Sequence, residues 1–144
     1  MKIVRIVAIL LGIYLVLGLM IDAAIGSFQP QGENTAVLRT FDKDGQPRET
    51  VLSLLDDNGQ LWVESGHWFR GWYHRVMTNP NVELIRGGQA TPYHAVLLNT
   101  PEALDLVTKL MGKGKGAQYW VGRTMLLFAP IKPVRLDPRA PSRS

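Results

Sequence analysis

Apolar and polar positions follow three different rhythms along this chain. From Ile6 to Ile21 the run is apolar, relieved only by Gly12 and Gly18, and Lys2 and Arg5 precede it. Counted from Ile3, with Arg5 near the end and able to snorkel, it makes a helix of about 19 residues, roughly 28 Å long. That length is just enough for a bilayer core. Residues 1–25 therefore read as an uncleaved membrane anchor. The alternatives are a signal segment cleaved near the small residues of Ala24-Ile25-Gly26, and a buried helix of a soluble protein. The next basic residue after Arg5 is Arg39. The positive-inside rule then puts the N-terminus in the cytoplasm and the domain on the extracytoplasmic side.

Past a polar linker at 26–35, the pattern becomes short alternating runs punctuated by turn residues. Val37–Phe41 is a strand, Asp42-Lys43-Asp44-Gly45 a hairpin turn, and Arg48–Leu55 the returning strand. Asp57-Asn58-Gly59 is a second hairpin signal, leading into Gln60–Ser65. Val82–Arg86 and Ala90–Leu98 flank Gly87-Gly88, and Tyr119–Phe128 with Val134–Leu136 close the set. The third rhythm is helical. Trp68, Trp72 and Val76 recur at helical spacing, as do Phe69 and Tyr73, until Asn79-Pro80 stops the helix. Thr100-Pro101-Glu102 opens another, with a hydroxyl cap, proline at the first position and an acid in the first turn. Its apolar face reads as Leu104, Val107, Leu110 and Met111. The result is a mainly β (α+β) domain over 36–136: a small barrel of six or seven strands with two short helices. Trp62, Trp72 and Val82 are expected in its one core. Residues 137–144, rich in Pro, Ser and Arg, read as a disordered tail.

Composition narrows the chemistry. With 144 residues there is room for one domain, and the apolar bias (46% hydrophobic, 19% charged) owes much to the N-terminal run. The net charge of +4 is scattered without a Lys/Arg run, which argues against a nucleic-acid partner. The absence of cysteine excludes disulfides, thiolate catalysis, Cys-ligated zinc and lipobox attachment. His67, His74 and His94 lack metal-site spacing, so no metal is expected. There is no G-x-S-x-G elbow, and Gly112–Gly116 follows a helix instead of opening one, as a plain loop does. The richest stretch, from Gly66 to Gly88, carries two tryptophans, a tyrosine, two histidines and three arginines. Flat apolar rings beside planar cationic donors suit a planar anionic ligand. The same residues equally suit packed tryptophans with solvated arginines.

Gly45-Gln46-Pro47-Arg48, Leu61-Trp62-Val63-Glu64-Ser65, Trp72-Tyr73-His74 and Asn79-Pro80-Asn81-Val82 resemble, in order and spacing, the deazaflavin-dependent nitroreductase family. That family belongs to the split β-barrel, FMN-binding-like superfamily. The resemblance covers Val37 to about Leu98, less clearly the C-terminal third, and implies a split barrel; the transmembrane helix read from the apolar run precedes it. It implies a deazaflavin coenzyme, or FMN, whose phosphate-bearing tail is held by the first hairpin and the helix start. Carried over by position, the cofactor-binding candidates are Lys43, Gln46, Arg48, Ser65, Gly66, Arg70 and Trp72. Arg48 and Arg70 are expected to lie close together. Asp42 and Asp44 stand where the family places anion-binding groups, so the resemblance implies a weakened grip on phosphate.

Two functions follow. One is a membrane-anchored flavin- or deazaflavin-dependent oxidoreductase, transferring hydride to a planar acceptor such as a quinone or nitro compound. Tyr73, Tyr93 and Tyr119 are its candidate hydrogen-bond donors to the acceptor, and a homodimer is a further expectation. The other is a non-catalytic split-barrel module for a small hydrophobic ligand or a cell-envelope partner.

Overall fold

The computed structural model describes residues 2–25, 34–68, 71–113 and 116–140. Most of the expected linker, together with Phe69, Arg70 and residues 141–144, lies outside them. The elements run α1 (Lys2–Ile25), β1 (Thr35–Phe41), β2 (Pro47–Ser53), β3 (Leu55–Asp57), β4 (Gln60–Ser65), α2 (Gly71–Thr78), β5 (Asn81–Arg86), β6 (Gln89–Leu97), α3 (Pro101–Gly112), α4 (Ala117–Met125) and β7 (Lys132–Pro138). All seven strands form one antiparallel sheet in the order β2-β1-β5-β6-β7-β4-β3. Its two edge strands, β2 and β3, are separated in the chain only by Leu54. One residue cannot bridge the width of a flat seven-stranded sheet, so the sheet has to curl until its edges meet. The Leu54 amide donates to the Asn34 carbonyl at 2.7 Å, tying that corner to the start of β1. The expected split barrel is therefore present.

Alternation sorts side chains to the two faces. On β1, Ala36, Leu38 and Thr40 are buried; on β5, Val82 and Leu84 are. Val63, Val134 and Leu136 join them, and α2 closes the barrel with Trp72, Tyr73 and Val76. On the outer face Arg39 donates to Glu49 of β2 and Glu83 of β5, at 2.8 and 2.7 Å. Both acids sit directly opposite it in register, so one guanidinium fastens three strands. The turn at Asp57-Asn58-Gly59 has φ of 53° at Asn58 and 91° at Gly59, the left-handed pair of a tight hairpin.

Several sequence expectations need correction. Trp62 does not share a core with Trp72 and Val82. It packs outside the barrel with Ala103 and Val107 of α3, because neighbouring Val63 already takes the inward position on β4. Helix α3 is capped as expected, with Thr100 Oγ1 accepting from the Ala103 amide at 3.3 Å. Its buried face, however, is Ala103 and Val107, supported by Leu106 and Met111, while Leu104 is exposed. The segment Tyr119–Phe128, read as a strand from its aromatic and β-branched residues, is mostly helix α4. It has no place beside β7, the strand that follows it, since β7 pairs with β4 on one side and β6 on the other. Strand propensity yields to tertiary context here. β7 also runs on to Pro138, so strand structure reaches into the expected tail.

The N-terminal helix is 24 residues, about 36 Å at the usual rise, and long and apolar enough to cross a membrane. Its end is engaged with the domain. The Asp22 side chain is fully buried, accepts from the Trp68 amide at 3.2 Å, and lies 3.1 Å from His67 Nδ1. Helix α2 begins only at Gly71, so Trp68 precedes it and serves this contact through its backbone.

Trp72→Ala and Trp62→Ala are each expected to destabilise the domain by about 3–5 kcal/mol, one by emptying the barrel and the other by undermining α3. Chemical unfolding of the detergent-solubilised chain measures this. An unchanged transition for Trp72→Ala contradicts the barrel core described above.

Candidate functional site

Helix α2 has two faces. Trp72, Tyr73 and Val76 fall within one arc of the helical wheel and are buried. His74, Arg75 and Thr78 fall within the opposite arc and line a cavity of about 630 Å³. The other wall is the first hairpin, through Phe41, Asp42, Lys43 and Arg48. Three cations, Lys43, Arg48 and Arg75, thus share this space with one carboxylate, Asp42.

That carboxylate is largely committed. Asp42 Oδ1 accepts from the backbone amides of Asp44 and Gln46, at 3.1 and 2.8 Å, in an Asx-type turn. Its Oδ2 lies 3.6 Å from Arg48 Nε. The acid that the sequence places against a phosphate therefore shapes the turn presenting Lys43 and Arg48. Arg75 is half-buried, and its Nε donates to Thr40 Oγ1 at 2.8 Å. Burial lowers the Arg75 pKa from its ordinary value, nearby Arg48 lowers it further, and Asp42 opposes them. Two guanidiniums that repel each other across an open cavity are relieved by an anion between them.

Of the sequence-stated candidates, Lys43 and Arg48 line this cavity. Gln46 is in the adjoining turn, where its amide serves Asp42. Ser65 and Gly66 are buried at the end of β4, away from the cavity lining, and Ser65 Oγ has no hydrogen-bond partner among the described residues. Trp72 is core. Arg70, expected beside Arg48, lies outside the described residues; the α2 cation that approaches Arg48 is Arg75, with His74 and Thr78 beside it. The sequence held the signal: positions 74, 75 and 78 lie opposite 72, 73 and 76 at helical spacing. The three candidate tyrosines are scattered. Tyr73 is buried against Trp72, ring centroids 5.9 Å apart. Tyr93 lines a separate cavity of about 370 Å³ with Leu61, Leu84 and Arg86. Tyr119 is on α4. The histidines are dispersed too: His67 meets Asp22, His74 lines the cavity, and His94 pairs in register with Asp137.

A curled antiparallel sheet capped by a helix, with a cationic cavity between that helix and its first hairpin, defines a split barrel. The chain belongs to the F420H(2)-dependent quinone reductase family, which matches residues 21–127. It is by that membership an oxidoreductase using a deazaflavin, F420, in agreement with the resemblance seen in the sequence. No curated protein matches the chain significantly. Among solved structures it is similar to the F420-H2 dependent reductase FDR-A at 20% identity, covering 76% of this chain and 99% of that one, with a TM-score of 0.55. It is also similar to HutZ, a haem storage protein from Vibrio cholerae, at 14% identity, 77% and 85% coverage and a TM-score of 0.55. A chain described as a domain-swapped dimer matches at 21% identity, 74% and 82% coverage and a TM-score of 0.59. These likenesses establish the fold.

The donor set fits the anionic tail of such a cofactor: planar guanidiniums for bidentate contact, an ammonium and a threonine hydroxyl. Arg48→Ala and Arg75→Ala are each expected to weaken binding of a phosphate-bearing deazaflavin about tenfold or more, since each charge-assisted hydrogen bond is worth roughly 1.5–3 kcal/mol. Fluorescence titration measures the loss, which should shrink as salt is added. Two variants that bind as tightly as the unmodified chain contradict the assignment.

Proposed function

We propose that this chain is a membrane-anchored quinone reductase that takes hydride from reduced deazaflavin. The observation that carries the reading is the cavity shared by Lys43, Arg48 and Arg75 in a chain of this family. When bound, the cofactor supplies the hydride. The chain's own contribution is to hold and orient: Lys43, Arg48 and Arg75 take the anionic tail, Thr78 and His74 add polar contacts, and Phe41 gives an apolar wall. Ser65, Gly66 and Arg70 belong to the same reading as the approach to α2. Of the three tyrosines, Tyr119 is the candidate donor to the acceptor, because α4 adjoins α1, beside which a lipid-borne quinone would arrive. A nitro compound of similar planarity is an alternative acceptor. A homodimer is part of the proposal, and size measurement in detergent tests it.

Retention of α1 is supported by Asp22. Cleavage near Ala24 would remove this carboxylate, and with it the contacts to the Trp68 amide and His67 that tie α1 to the domain. Lys2 and Arg5 orient the N-terminus to the cytoplasm and the domain to the other side. In that placement the pool of reduced cofactor has to be extracytoplasmic as well.

The full-length protein is expected in the membrane fraction, released by detergent and not by salt, with residues 1–25 still present by mass. Supplied with reduced deazaflavin, it should oxidise the cofactor only when a quinone is added. Binding without quinone-dependent oxidation would leave the non-catalytic module as the better account. A soluble or N-terminally shortened product would remove the anchor.

A further inference from the structure

Between Gly116 and Ile131 the sequence carries one charged residue, Arg123. Helix α4, inside this segment, buries none of its side chains. Trp120 is 64% exposed, Val121 58%, Phe128 53% and Met125 45%. Large apolar side chains gathered on one short segment mark a surface that something covers.

What adjoins the segment identifies the cover. The Tyr14 hydroxyl of α1 donates to the Thr124 carbonyl, near the end of α4, at 2.7 Å. Just beyond, Leu127 lies so near α1 that a Cβ on Gly18 would sit 2.5 Å from its Cγ. Leu127 and Phe128 hold φ of 52° and 51°, a left-handed conformation unfavourable for residues with side chains. This turn brings Leu127 against α1 and leaves Phe128 exposed. On α1 itself, every large apolar side chain from Ile3 to Met20 is exposed. The two apolar surfaces are therefore continuous.

Depth makes the link quantitative. Asp22, buried among polar groups of the domain, marks where α1 leaves the apolar phase. Tyr14 is two turns nearer the N-terminus, roughly 12 Å along the helix axis. One leaflet of hydrocarbon is about 15 Å thick. A helix inserted as far as Asp22 necessarily takes α4 in beside it.

We propose that α4 and the turn after it, residues 117–128, are a lipid-inserted surface. Trp120, Val121, Met125 and Phe128 lie in the leaflet nearest the domain, and half-buried Arg123 reaches toward the headgroups. The inference rests on the reading of α1 as an anchor. It makes the anchor and the edge of the domain one membrane-embedded unit, so an apolar acceptor can meet the domain without leaving the bilayer.

The test uses the full chain reconstituted in phosphatidylcholine–phosphatidylglycerol vesicles with brominated acyl chains, comparing the unmodified protein with Trp120→Phe. Both should float with the vesicles. Brominated lipid should quench the unmodified chain, and most of the quenched component should vanish in Trp120→Phe. If both float and the quenched component is unchanged by the substitution, α4 lies outside the bilayer and the proposal fails while the anchor stands. If Trp120 is shielded from aqueous acrylamide but not quenched by lipid, a protein surface such as a second copy covers it, and the proposal again fails. If neither chain floats, the anchor reading fails and takes this one with it.

Discussion

The site depends on how helix α2 is rotated against the barrel. Burial of Trp72, Tyr73 and Val76 fixes that rotation, and no other setting of an eight-residue helix hides all three. His74, Arg75 and Thr78 are then committed to the opposite side, facing the first hairpin. The Arg75–Thr40 hydrogen bond secures the arrangement from within, because Thr40 is a buried residue of β1. Hydrophobic burial thus places a guanidinium where a neighbouring arginine makes it electrostatically costly. Fold energy keeps cations together that would separate in water, and an anion relieves the repulsion.

A second constraint joins the N-terminal helix to this unit. Asp22 lies at the end of an apolar helix and is nevertheless buried, held by the loop that leads into α2. A carboxylate in that position is tolerable only with donors around it. Contacts through Tyr14 and Gly18 fasten the same helix to α4 and its turn. The N-terminal segment is accordingly part of the domain's architecture, and the family match begins inside it, at residue 21.

Much of this was legible in the sequence where the signal is local. Turn residues placed the hairpins, Thr100 and Pro101 placed the start of α3, and the apolar run placed α1, although that helix continues past Ile21 to Ile25. Lys43 and Arg48 were legible because the hairpin that presents them resembles a known family. What was hidden depends on partners distant in sequence. Trp62 faces α3 because Val63 faces the barrel, and alternation alone does not say which side is which. Tyr119–Phe128 has strand-like composition, but β7 has both neighbours already. Asp42 looked hostile to an anion until its bonds to the turn amides were placed. Arg75 was hidden because the family resemblance points to the start of the helix, at Arg70, and not to the helix face.

The cavity between the first hairpin and α2 is proposed to hold the anionic tail of the deazaflavin. Its most direct test compares, by fluorescence titration at low salt, the phosphate-bearing cofactor with the same chromophore lacking that tail. The account predicts at least about tenfold weaker binding of the tail-less form, the equivalent of roughly 1.4 kcal/mol or more. Equal affinities for the two would contradict it, showing that the cationic cavity makes no contact with the cofactor.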